Sequence, residues 1–188
     1  MKLKNFSKDV CEKYTLRFEN GVDYAMFTID ETGMFNCQSS FGNYSYKWYA
    51  FGDNFKEFLS GLDYGYLLTK LCNKNYFDVQ NYIRDSKKAI LEERRLYDLS
   101  KEEARTLWTF FDRDIDSCND SISIVRNEFF YNEGLSEVLG PEPWYSKYWP
   151  EFEYSPNQLA FVNKVYPAFA NLLKEELKNN STKEAVEA

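Results

Sequence analysis

Residues 39–72 read SSFGNYSYKWYAFGDNFKEFLSGLDYGYLLTKLC, and their spacing decides the fold. Tyr44, Tyr46 and Trp48 alternate onto one face of a strand, while Ser45, Lys47 and Tyr49 take the other. Gly52-Asp53 then turns the chain, and the apolar period lengthens. Phe55, Phe58 and Leu59, followed by Leu62, Tyr66, Leu67, Leu68 and Leu71, suit two short helices. A sheet hands over to helices here, and aromatic residues from both form the join.

Upstream, the alternation Tyr14, Leu16, Phe18 predicts a strand closed by the turn pair Asn20-Gly21. A second strand follows over 23–30, with Ala25, Phe27 and Ile29 on one face. A hairpin-like connection at 30–33 leads to a third strand, Met34–Ser39, and Gly42-Asn43 is expected to turn the chain into the fourth, 44–50. Four strands joined by short turns make an antiparallel meander with one face to cover.

Downstream, Asp53 is the expected cap of the first helix, with Gly61 ending it, and Asp63 the cap of the next, roughly 64–73. A longer helix starts after Asp78, and Ser100-Lys101-Glu102-Glu103 is a capping box for another. Asp120 reads as the cap of a helix over 121–131. The stretch 134–154, with three prolines and two tryptophans, reads as an irregular, packed loop. Ser155-Pro156-Asn157-Gln158 opens the last helix, with Phe161, Val165, Phe169, Leu172 and Leu173 as its apolar face and Pro167 as an interruption. The expected fold is therefore α+β: an N-terminal antiparallel sheet of about four strands (13–50) packed against a C-terminal helical part (53–178). These form a single domain over 1–178, followed by a flexible tail over 179–188.

Composition narrows the function. At 188 residues with 44% hydrophobic and 19% aromatic content, the chain can bury a substantial core. No apolar run reaches membrane-spanning length, and the charged N-terminus lacks the apolar stretch of a signal peptide. A cytoplasmic setting is expected. The four cysteines (Cys11, Cys37, Cys72, Cys118) have no CxxC spacing and read as free, buried thiols. There is no histidine, which removes His-based triads and His-ligated zinc. The eight glycines fall singly, so no phosphate-cradling loop is present. No catalytic residue, cofactor or metal is expected.

The net charge of −7 is concentrated. Residues 100–153 hold five bases and twelve acids, while the remainder is balanced. Asp112, Asp114 and Asp116, with Asp120 at the ninth position, resemble half a calcium loop, but Ser117 and Ser123 stand where the turn glycine and bidentate glutamate belong. An ordinary acidic loop is the simpler reading, and a metal-dependent factor built on 112–120 is the alternative. The aromatic fourth strand suits a base-stacking platform only among basic residues, and just Lys47 and Lys56 are near, so a core or rim role is preferred. Acidic charge of this density also matches a basic partner surface. Asp112, Asp114, Asp116, Asp120, Glu128 and Glu133 are the candidate partner-binding residues. The expected partner is a host or defence protein with a basic surface, without direct nucleic-acid or membrane contact; a homodimer is left open.

The chain also resembles a family of small bacteriophage and prophage proteins. The resemblance rests on Ser40-x-Gly42-x-Tyr44-x-Tyr46-x-Trp48, Gly52, Phe55-x-x-Phe58-Leu59 and Leu62-Asp63-x-x-Tyr66-Leu67-x-x-Lys70-Leu71. Pro156-x-x-x-x-Ala160-Phe161 with Tyr166-Pro167 extends it toward the C-terminus. It implies a phage protein in the host cytoplasm and transfers no catalytic residue. Such proteins often disable host machinery, including restriction and CRISPR systems, which makes an inhibitory binding protein the expected function. A phage structural or assembly protein is the remaining alternative.

Overall fold

The computed structural model describes residues 4–187 except Asp9 and Asn20, with side chains given through Ser181. The expected Asn20-Gly21 turn therefore lies partly outside the described residues. The fold is α+β, with a four-stranded antiparallel sheet followed by helices. The chain groups into two compact units. Unit 1 comprises 1–73 and 154–188; unit 2 comprises 74–153 and is inserted within it in the chain order. Each unit gathers its own separate core.

In unit 1, β1 (Glu12–Arg17), β2 (Tyr24–Ile29), β3 (Met34–Ser39) and β4 (Gly42–Lys47) form a meander in sequence order. Alternation sends Leu16, Ala25, Phe27, Ile29, Phe35, Cys37 and Tyr44 to one buried face. Ser39 pairs with Gly42, so the turn between β3 and β4 is Ser40-Phe41, and Gly42-Asn43 begins the strand instead of turning into it. At the β2–β3 turn, Gly33 sits at φ +86°, and a Cβ there would lie 2.0 Å from the Trp48 carbonyl oxygen. Only glycine lets the strand end approach so closely.

Two short helices follow, α1 (Phe55–Ser60) and α2 (Tyr64–Leu71). The cap of α1 is Asn54, whose side chain accepts from the Lys56 and Glu57 N–H groups; Asp53 lies one residue too early. Gly61 and Asp63 take the terminating and capping places expected of them. After unit 2 the chain returns through α7 (Pro156–Ala160), a π turn (Phe161–Val165) and α8 (Tyr166–Glu187). The Ser155–Gln158 capping box is formed in full. The π turn is the response to Pro167, which has no N–H to continue the regular ladder, and Tyr166 N–H reaches back five residues to the Phe161 carbonyl. The wider turn lets Phe161, Val162 and Val165 all point inward. Leu172 is exposed, so it drops out of the expected apolar face. The helix covers much of the segment expected to form the tail.

This helix supplies the lid of the sheet. Phe169 stacks on Phe27 at 3.9 Å, Phe161 stacks on Tyr44 at 4.0 Å, and Tyr166 donates its hydroxyl hydrogen to the Leu59 carbonyl at 2.7 Å. On the aromatic face of β4, Tyr44 is core and Tyr46 packs half-buried at its rim, within the core or rim role read from sequence. Lys56 ties three elements together, lying 2.6 Å from both Glu12 and Glu176.

Unit 2 is helical: α3 (Val79–Leu96), α4 (Lys101–Thr109), a π turn (Phe110–Ile115), α5 (Ile122–Tyr131), α6 (Glu133–Leu139) and a 3-10 turn (Pro143–Tyr145). Here too the π turn buries two adjacent residues, Phe110 and Phe111, together with Ile115. The stretch expected to be irregular from residue 134 contains most of α6. The unit's ends are clasped by Tyr76 and Glu153, which exchange backbone hydrogen bonds of 3.1 and 2.8 Å as an isolated antiparallel bridge.

Candidate acidic interface

The acidic residues singled out from sequence all fall in unit 2, which carries eleven bases and seventeen acids and hence nearly all of the negative charge. They do not converge on one point. The π turn swings Asp112 outward to meet Lys87 of α3 at 2.6 Å, and that ammonium also lies 5.1 Å over the Trp108 ring. Asp114 accepts from Arg113 Nε at 2.8 Å and from Asn132 Nδ2 at 3.0 Å, pinning the start of α6 to the π turn. Asp116 accepts from Gln80 at 3.1 Å. Asp120 accepts from the Val79 N–H at 2.9 Å and so caps α3, while the expected cap of α5 is replaced by Ser121, which makes no side-chain capping bond.

Four of the six candidates are therefore engaged in holding the unit together. Glu128 and Glu133 differ. Among the described residues their carboxylates make no hydrogen bond or ion pair, and Glu133 stands exposed at the start of α6. Cys118 is buried close by; burial, with the Glu128 and Asp114 charges adding to it, raises its thiol pKa.

The calcium-like spacing is not matched by geometry. Among the described residues no group of three or more cysteine, aspartate or glutamate side chains is placed to hold a metal ion. No described helix is long and apolar enough to cross a membrane. Three cysteines are buried as free thiols, but Cys11, expected to be buried as well, is exposed.

A cleft of about 420 Å3 opens between α3 and the 146–153 segment, lined by four carboxylates (Asp78, Asp85, Glu151 and Glu153) and one cation, Lys147, with Tyr82 and Trp149 as aromatic walls. Its charge continues the acidic character of the unit. Tyr82 donates to the Tyr148 carbonyl, and the Tyr148 hydroxyl is bonded to Glu93, which also pairs with Lys147 at 2.6 Å. Burial first, then the hydrogen bond to Glu93 and lastly the Glu93 charge, raise the Tyr148 pKa far above the ordinary phenol value, so this hydroxyl stays a hydrogen-bond donor.

Sequence reasoning passed over the aromatic surface next to these acids. Trp144 and Tyr145 were expected to be packed away, yet both are exposed, as are Phe130 and Phe152. The signal available was Pro143-Trp144-Tyr145: a proline at the first position of a single 3-10 turn leaves too little helix to bury both rings.

No curated protein and no solved structure matches the chain. A family model described as a phage family, Phage_phiTE_072, matches residues 4–175, and the chain belongs to that phage family.

Proposed function

We propose that this phage protein is an inhibitory binding protein that occupies the basic surface of a host or defence protein, with CRISPR and other nuclease complexes the first targets to examine. The observation that carries the reading is the charge of unit 2: seventeen acids against eleven bases, with carboxylates such as Glu128, Glu133, Glu142 and Glu151 making no internal ion pair or side-chain hydrogen bond among the described residues. Proteins that handle nucleic acid present basic clefts to phosphate, and an acidic protein surface competes for the same charges. The phage family supports the context, and the scattered duties of Asp112, Asp114, Asp116 and Asp120 weigh against a metal-dependent factor.

The test is capture of the tagged protein's partners from host lysate at low and high salt, with a variant carrying Glu128→Gln, Glu133→Gln, Glu142→Gln and Glu151→Gln. Enrichment of one nucleic-acid-handling or defence complex, weakened both by salt and by the substitutions, supports the reading. Recovery of virion components, or of the chain's own copies alone, sinks it in favour of an assembly role.

A further inference from the structure

Around the 3-10 turn and the end of α5, unit 2 leaves large rings in solvent. Phe130, Trp144 and Tyr145 are 54%, 42% and 79% exposed. They form a continuous run: Trp144 lies 6.0 Å from Tyr145 and 5.9 Å from Phe130, and Phe130 meets Trp149 at 5.5 Å. Arg126 extends the run, its guanidinium 5.5 Å over Trp149 and 5.9 Å over the exposed Phe152. The patch is supported from beneath. Trp149 leans on buried Phe129 at 5.6 Å, and Arg126 donates two hydrogen bonds to the Pro150 carbonyl, at 3.2 and 2.9 Å. Exposed, contiguous apolar surface of this kind marks interaction sites. Trp, Tyr and Arg held in place are the residues that carry binding energy, because little ordering is left to do on association.

The surrounding charge selects the occupant. Residues 122–153 contain six carboxylates (Glu128, Glu133, Glu137, Glu142, Glu151 and Glu153) and only two cations. Both cations are engaged: Lys147 pairs with Glu93, and Arg126 is held on Pro150 and the rings. Glu142 directly precedes Pro143-Trp144 and Glu151 directly precedes Phe152, so unpaired negative charge flanks the aromatic run. Phosphate backbones and anionic lipid surfaces are repelled by such a rim, and a second copy would set like charge against like.

We propose that this aromatic patch docks a protein presenting an apolar pocket rimmed by lysine and arginine, with Phe130 and Trp144 as the anchors. It rests on the function proposed above and deepens it: the acidic charge steers the encounter, and the rings hold the complex.

Photo-crosslinking in host cells tests it with the full chain. A benzoylphenylalanine residue is placed singly at Tyr145, at Asp116 on the acidic loop, or at Tyr49, an exposed tyrosine of unit 1. Crosslinks from position 145 to a lysine- and arginine-containing segment of one host protein are expected. Adding Phe130→Ser and Trp144→Ser should lower their yield by about 30-fold, the effect of losing a hot spot. Circular dichroism on the same variants reports whether the fold is kept, and single Phe130→Ser and Trp144→Ser variants serve if the pair is disruptive. Crosslinks confined to position 116 overturn the aromatic anchor but leave the acidic surface as the working face. Crosslinks from 145 only to a second copy of the chain, or no crosslink above the position 49 control, overturn the anchor and the basic partner together.

Discussion

The Asp120 carboxylate accepts a hydrogen bond from the Val79 backbone N–H at 2.9 Å, across 41 residues of chain. Asp78 takes the Asn81 N–H at the same helix end, so α3 starts against two carboxylates that suit the positive end of its dipole. Replacing Asp120 by alanine removes one of these bonds and should destabilise the protein by about 1 kcal/mol, the usual loss for a side-chain cap. Asp120→Asn keeps an acceptor and should lose less. Thermal unfolding of the two variants decides the matter, and an unchanged midpoint for Asp120→Ala would show that solvent replaces the bond at no cost.

The same reasoning changes how the acidic surface should be probed. Substitutions at Asp114 and Asp120 disturb bonds to Asn132 and Val79, so any loss of binding they cause mixes docking with folding. Glu133 and Glu142 are exposed, and their carboxylates make no hydrogen bond or ion pair among the described residues, so substitutions there report on docking.

Unit 2 should fold by itself. Its core of Phe77, Ile83, Ile90, Leu107, Phe111, Val125, Phe129 and Leu135 is drawn entirely from 74–153, and the Tyr76–Glu153 bridge brings its two ends together. A peptide of residues 74–153 is expected to give a helical circular dichroism spectrum and a cooperative thermal transition, as single domains of this size do. A non-cooperative melt would mean that this core needs the rest of the chain to stay packed.

What was legible in the sequence is what local chemistry writes. Ser100 with Glu103 and Ser155 with Gln158 form capping boxes because both partners lie within one helical turn. The strands were legible because Ala25, Phe27 and Ile29, and then Tyr44, Tyr46 and Trp48, recur at every second position. The β3–β4 turn was misplaced because a glycine followed by asparagine looks like a turn, whereas the pairing of Ser39 with Gly42 across the ladder puts the turn at Ser40-Phe41. The insertion of unit 2 left no mark, since Tyr76 and Glu153 meet only in space. The candidate site divided along the same line. Asp120 and Glu133 look alike in sequence, and only the backbone brought to Asp120 from 41 residues away makes one a cap and leaves the other a free charge.

Cysteine reactivity offers a direct check on the two cores. Burial, partly offset by the Ser39 hydroxyl, pushes the Cys37 thiol up to about 12; burial pushes Cys72 up to about 11 and raises Cys118 as well. Since the thiolate is the reactive form, all three should be inert in the native protein. Cys11 is exposed and should react with a disulfide reagent at once. One fast thiol under native conditions and four in denaturant is the expected count. A second fast thiol in the native protein would point to local opening of one core, and the modified peptide would identify which.

The β2–β3 turn should be acid-sensitive at low pH. Slight burial disfavours the Asp30 carboxylate, but the Thr32 hydroxyl, the Met34 and Thr32 N–H groups and the Lys47 charge outweigh it and hold the carboxyl below its ordinary range. A carboxyl depressed in the folded state binds its proton more readily in the unfolded chain. Its contribution is therefore complete above the unfolded value of about 3.9 and disappears as the pH falls through the lower folded value. Asp30→Ala should melt below the parent protein at about pH 6, with the gap narrowing as the pH approaches about 3. A gap that stays constant over that range would assign the role of Asp30 to turn geometry, with its charge contributing nothing.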